Sequence, residues 1–205
     1  MSQTVEQAVM VPQEFNVKDC IDIMLDLETL DVGDSPVIIQ LSAVKFDRLT
    51  GETFDEFSML INPQSCVKSG LKISGDTLEW WFKQDISVIK KVLTDSILIG
   101  RDLRHVLLEF REFLTSDQKE IRVWGNGIMA DNVWLSNVYK AEKLEFPIKF
   151  WQHSDVRTIV DLGRTLLSAD HKKETKFEGD RHNAIDDCKH QIKYVCKIIN
   201  DLKKG

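Results

Sequence analysis

The feature that most constrains this chain is a pair of acids, one residue apart, at the end of an apolar run. From Cys20 to Asp26, Ile21, Ile23 and Leu25 alternate with Asp22, Met24 and Asp26. That period of two predicts a strand, and its apolar content predicts a buried one. Asp26-Leu27-Glu28-Thr29 closes it. Side chains at i and i+2 of an extended chain point the same way, so the carboxylates of Asp26 and Glu28 face one spot. Two anions held together repel unless a cation neutralises them. Hard divalent ions such as magnesium and manganese prefer carboxylate oxygen. In isolation the same pair also reads as two exposed acids at a strand-to-loop junction.

The chain around this stretch has 205 residues, which suits one domain with room for a real core. Met1 to about Lys18 has little periodicity and reads as a tail or surface arm, leaving residues 19–205 as a single domain. The formal net charge is -6, which argues against a broad basic surface that coats nucleic acid. It leaves room for a narrow site handling one strand end, where bound metal ions supply positive charge. Cys20, Cys66, Cys188 and Cys196 form no C-x-x-C pair and read as buried thiols in a reducing cytoplasm, not as zinc ligands. The first 17 residues lack a signal-peptide pattern. No apolar run approaches the roughly 18 residues that suggest a membrane span.

Two further strands, Val37 to Phe46 and Thr53 to Ile61, follow with a loop at Leu30–Pro36 and a turn at Arg48–Gly51. Together the three predict an opening meander. The pattern then turns helical. Leu78, Trp81, Phe82, Ile89, Val92 and Leu93 keep helical spacing with slack at Gln84-Asp85, and Leu103 to Leu114 keep it cleanly. A short strand at Ile121–Trp124 precedes helices at Asp131–Ala141 and around Val156–Leu167. Lys172 to Asp180 reads as a mobile polar loop, and Cys188, Ile192, Val195, Ile199 and Leu202 mark a last helix. Strands first, then helices around one more strand, predict an α/β domain: a mixed central sheet flanked by helices.

Two more acidic sites lie at element ends. Asp131, after Gly125-Asn126-Gly127, falls in a first helical turn; Asp186 and Asp187 do so after His182-Asn183. Acids there suit the helix dipole, and Asn183 is a plausible N-cap. Taken separately each is a capped helix; together they bring four acids and one histidine to three element ends.

The order D-x-E, N-x-x-x-x-D, H-x-x-x-x-D resembles the DEDDh 3′-5′ exonucleases of the DnaQ-like, ribonuclease H-like superfamily. The likeness runs over roughly residues 20 to 200. Asp76-Thr77-Leu78-Glu79-Trp80-Trp81 and Lys149 to Thr158 are similar to the phage exonuclease A and bacterial exoribonuclease-like group. One departure is Ala130, where the superfamily often has an aromatic residue. The resemblance implies two Mg2+ or Mn2+ ions held by Asp26, Glu28, Asp131 and Asp187, an arrangement suited to in-line displacement at phosphorus. It implies His182 as general base, a task suited to a side chain that titrates near neutrality. Nucleoside 5′-monophosphates are then released from a nucleic acid 3′ end. It also implies that Leu27, Thr29 and Leu30 meet the terminal nucleotide.

Trp80, Trp81 and Trp151 are candidates for stacking on a base. Trp81 shares the apolar helical face with Leu78 and Phe82 and reads as core; Trp80 lies off it and reads as open to ligand. Trp124 reads as core, Asn126 as fixing a turn and Asp155 as a helix start. His105, His153, His171 and His190 read as surface or structural; the Lys172-Lys173 and Lys203-Lys204 pairs read as solvated surface, with steering of phosphate as the alternative. The acidic charge favours a single-stranded end, the family admits a homodimer, and the setting expected is a bacterial or phage-infected cytoplasm. DNA and RNA both stay open, since nothing here identifies a reader of the 2′-OH. Two other readings are a catalytically silent nucleic-acid-binding or assembly protein and a related endonuclease or short-oligonucleotide phosphodiesterase. All five positions being filled counts against the first.

Overall fold

The computed structural model describes residues 20–204, so the tail or arm expected over 1–18 lies outside the described residues. A five-stranded sheet organises the fold in the order β3-β2-β1-β4-β5. Its strands are β1 (Cys20–Thr29), β2 (Ile38–Phe46), β3 (Thr53–Leu60), β4 (Glu120–Gly125) and β5 (His153–Asp155). The first three pair antiparallel as the predicted meander, while β4 runs parallel to both β1 and β5. The sheet is therefore mixed, as expected.

β1 is longer than its apolar run. Asp26, Leu27 and Glu28 still pair with Ser42, Leu41 and Gln40 of β2, and the register slips only between Glu28 and Thr29. Both acids are thus held by a ladder rather than carried on a loop. Strand parity then sorts the sheet's two faces. Ile23, Leu25 and Leu27 join one buried cluster with Val106, Leu107 and Phe110 of α5 (Leu103–Thr115) and Leu135 and Val138 of α6 (Asp131–Ala141). Met24 joins the opposite cluster, with Val156 and Val160 of α7 (Val156–Leu167) and Cys188, Ile192 and Val195 of α9 (Ala184–Leu202). Asp26 and Glu28 share the parity of Met24 and so face α9.

Several elements are too short to leave a periodic signature. They are α1 (Pro63–Lys68), capped by Asn62; β5 itself; and α8 (His171–Glu174), inside the stretch read as a mobile loop. The slack at Gln84-Asp85 is a true break between α2 (Gly75–Phe82) and the helical turns of α3 (Ile86–Val88). A wider turn at Ile89–Thr94 then leads into α4 (Asp95–Ile99). Asp155 does start α7, accepting the Arg157 N–H at 3.1 Å. Among the described residues no helix is long and apolar enough to cross a membrane.

Candidate active site

Three element ends meet at one side of the sheet. Asp26 and Glu28 of β1 and Asp187 in the first turn of α9 present carboxylate oxygens that all lie within 4.8 Å of one another. What aims α9 there is Gln40, the cross-strand partner of Glu28. Its Oε1 accepts the Ala184 N–H at 3.1 Å, and its Nε2 donates to Asn183 Oδ1 at 3.2 Å. Asn183 in turn caps the helix through the Ile185 N–H at 3.4 Å. One turn after Asp187, Gln191 Nε2 donates to Asp26 Oδ1 at 2.8 Å.

Asp131 stands beside this group at the start of α6. Its Oδ2 accepts the Asn126 N–H at 3.2 Å. Gly125 leaves room for the Asn132 amide at the start of α6: a Cβ there would stand 2.1 Å from Asn132 Oδ1, so any side chain displaces that amide. Asn132 is itself tied to the Val123 carbonyl and His153 Nδ1.

The four carboxyls sit in an electrostatic conflict. Burial raises the pKa of Asp26 well above the ordinary carboxylate range, and the negative charges of Asp131, Glu28 and Asp187 raise it further. Glu28 is raised by burial and by Asp187 and Asp131. Burial pushes Asp131 up to about 7, against the pull of the Leu27 and Asn126 amides. Asp187 is raised by burial and relieved in part by the His182 amide. Asp26, Glu28 and Asp187 form an all-oxygen, anionic and mutually repelling donor set, which fits a hard divalent cation. The Gln191 Oε1 and Tyr194 hydroxyl near these acids are buried with no hydrogen-bond partner among the described residues.

His182 precedes α9 in the left-handed region, at φ 62°, a conformation strained for a side chain of this size. Its N–H donates to Asp187 Oδ2 at 2.9 Å. Its ring meets Trp80 edge-on, with centroids 4.8 Å apart and planes at 86°. The segment before it, read as a mobile loop, has a helical start and several side-chain ties. It begins as α8, and its far end is tied by Lys91 to Asp180 at 2.5 Å, by the Asp180 N–H to Asp186 Oδ2 at 2.9 Å, and by an ion pair of Glu178 with Lys193.

The adjacent tryptophans divide as their spacing predicts. Trp81 is 1% exposed and donates Nε1 to the Thr29 carbonyl at 2.9 Å, whereas Trp80 is 41% exposed. Trp124 is core, its Nε1 bound to Asp22 at 2.7 Å. Trp151 is a correction. It donates to Glu120 at 3.2 Å, and Glu120 pairs with Cys20, at the end of β1 opposite the acids. Leu27, Thr29 and Leu30 are all buried, and Leu27 packs on the sheet face away from Asp26 and Glu28. His171 is buried against Glu174 and Asp201, a structural placement.

Sequence reasoning passed over Gln40, Gln191 and Arg157. Gln191 had a local signal, since it follows Asp187 by one helical turn on the same face. Gln40 had none, because its place opposite Glu28 depends on strand register.

Comparison with known proteins follows the same geometry. A family model described as the Rv2179c-like 3′-5′ exoribonuclease domain matches residues 21–199. An exodeoxyribonuclease of Enterobacteria phage T4 is 24% identical over 214 residues, spanning 89% of this chain and 92% of that protein. The nuclease domain of 3′hExo, a DEDDh family member bound to rAMP, superposes with a TM-score of 0.65 at 15% identity, over 91% of this chain and 94% of that one. A zinc-bound form of E. coli Exonuclease I in complex with single-stranded DNA does so with a TM-score of 0.61 at 11% identity, over 91% of this chain and 41% of that one. The fold is that of the DEDDh, ribonuclease H-like nucleases.

Proposed function

The chain belongs to the Rv2179c-like 3′-5′ exoribonuclease domain family, 3′-5′ exonucleases of the DnaQ-like type, and from that premise we propose a divalent-metal-dependent enzyme. It removes nucleoside 5′-monophosphates from a single-stranded 3′ end, with Asp26, Glu28, Asp131 and Asp187 as metal ligands. The observation that carries this reading is the approach of the Asp26, Glu28 and Asp187 oxygens to within 4.8 Å. Burial raises all three acids, so holding them together as anions is costly, and a bound cation would relieve that cost. Two Mg2+ or Mn2+ ions bound there would activate the attacking water and stabilise the departing 3′ oxygen.

The chain's own groups then divide the remaining work. His182 takes the proton of the attacking water as general base. Its ring is buttressed by Trp80 and its backbone is anchored on Asp187, so the imidazole is positioned before substrate arrives. Gln191 orients Asp26, and the Asn126 amide orients Asp131. The half-exposed face of Trp80 offers the terminal base a stacking surface, an interaction that tolerates any base. Leu27 and Leu30 meet that nucleotide only through backbone, their side chains being committed to the core.

The test is product identity. Strands labelled in the terminal nucleotide, as DNA and as RNA, are digested with Mg2+ and the label is separated. Release as a nucleoside 5′-monophosphate supports the reading. Release as a 3′-phosphate, or within internal fragments, contradicts it.

A further inference from the structure

A second cluster of like charges lies against the acidic one. We propose that the cavity between the Gly125–Gly127 turn, α7 and α8 is a subsite for the strand phosphate on the 5′ side of the one being cut. The proposal rests on the nuclease reading of the acids. Once the terminal nucleotide is seated, the remaining strand leaves only on its 5′ side, so the next phosphate is the first anion available to a neighbouring site.

The cavity holds about 410 Å³ and is lined by Asn126, Arg157, Val160, Asp161, Arg164 and Lys172. It touches the acid site on two sides. Arg157 Nε donates to the Asn126 carbonyl at 3.0 Å, and the Asn126 amide binds Asp131. The Arg157 guanidinium packs so closely on this turn that a Cβ at Gly127 would stand 3.0 Å from its Cζ. On the other side Lys172 Nζ lies 6.0 Å above the ring of Tyr194, and Lys172 feels the charge of Asp170 and, less strongly, that of Asp187.

The cations are only partly neutralised: Asp161 stands in the lining, and Asp170 acts on both Arg164 and Lys172. Arg164 is bound to Asp170 at 3.0 Å. Among the described residues neither Arg157 nor Lys172 has a carboxylate within ion-pair distance. Burial lowers the pKa of Lys172, and the charges of Arg157 and Arg164 lower it further. An anion among them relieves that repulsion, and Arg with Lys is the donor pair suited to phosphate oxygen. The larger cavity, about 670 Å³ between α9 and the turn joining β2 to β3, lacks this feature. Its Lys189, Lys193 and Lys197 are each paired, with Glu56, Glu178 and Glu174.

The test uses a single uncharged methylphosphonate at the second linkage from the 3′ end. The kcat/KM for release of the first nucleotide is compared with that of the natural strand. In the wild-type protein the methylphosphonate is expected to cost about tenfold. In Lys172→Met and Arg157→Gln that ratio is expected to narrow to about twofold, because a charge-assisted contact is already gone. The ratio is taken within each variant, so any loss of folded protein cancels. A wild type indifferent to the methylphosphonate, or variants that keep the full ratio, overturns the subsite and leaves the nuclease reading standing. So does a wild type indifferent to it whose inhibition by nucleoside 5′-monophosphate is weakened in the variants, which assigns the cavity to product. A wild type that removes no nucleotide from either strand refutes the nuclease reading itself.

Discussion

The ring of His182 stands edge-on against the indole of Trp80, centroids 4.8 Å apart, while the His182 N–H is held by Asp187 at 2.9 Å. A residue tied to a metal-ligand candidate by its backbone and buttressed at its ring can lose its imidazole without disturbing the acids. His182→Ala is therefore expected to lower kcat by about 10²–10⁴-fold, the range of a general base, with Mn2+ affinity unchanged. Turnover near the wild-type rate would remove His182 from the mechanism. Lost Mn2+ binding would recast it as a structural support of the acids.

Trp80 and Trp81 are neighbours with opposite duties. Trp80→Ala is expected to lower kcat/KM by about 10–100-fold, from lost stacking and a loosened His182, with little change in Tm. Trp80→Phe restores most of that loss. Trp81→Ala is expected to cost about 3–5 kcal/mol of stability, as a large side chain removed from a core, and to show first in thermal unfolding. Equal Tm losses in both alanine variants would contradict the division.

Crowded acids make stability depend on pH in a known direction. Burial raises Asp131 to about 7 and Asp22 to about 6 in the folded chain, against about 4 for a free carboxyl. The folded state then binds more protons than the unfolded one, so stability falls as pH rises from about 4 to about 7. Saturating Mn2+ offsets the repulsion among Asp26, Glu28, Asp131 and Asp187. At one fixed Mn2+ concentration, roughly 100 times the Kd at pH 8, its Tm increase is expected to be about 5–10 °C at pH 8 and smaller at pH 5. A metal shift that is absent, or larger at pH 5, would contradict the assignment. Thermal unfolding across pH with and without Mn2+ gives the answer.

Gln191 holds Asp26 through a 2.8 Å bond. Gln191→Leu is expected to weaken Mn2+ binding by about 10–100-fold, the usual cost of losing a partner that orients a ligand. Calorimetric titration measures it; an unchanged affinity would mean that Asp26 is positioned by its strand alone.

The acids are legible in the sequence because each depends on local rules. Strand parity puts Asp26 and Glu28 on one face, and helix starts attract Asp131 and Asp187 for reasons visible within a few residues. Trp80 and Trp81 could be separated the same way, by helical face. Gln40 was not legible, since its hold on α9 needs the register of β2 against β1. In the stretch from Lys172 to Asp180 the contacts made with Lys91 and Lys193 leave no periodic signal, because those side chains are far away in sequence. Trp151 misled because a tryptophan inside a family-like stretch says nothing about which end of the sheet it reaches.

The most direct measurement of the central claim is a time course on 5′-labelled single-stranded RNA and DNA of equal sequence, with Mg2+, with Mn2+ and with chelator, beside Asp26→Ala. The account predicts a ladder that shortens from the 3′ end with either ion, on at least one of the two polymers, and disappears in chelator and in the variant. A ladder that persists in chelator or in Asp26→Ala, or intact strands under every condition, would contradict it.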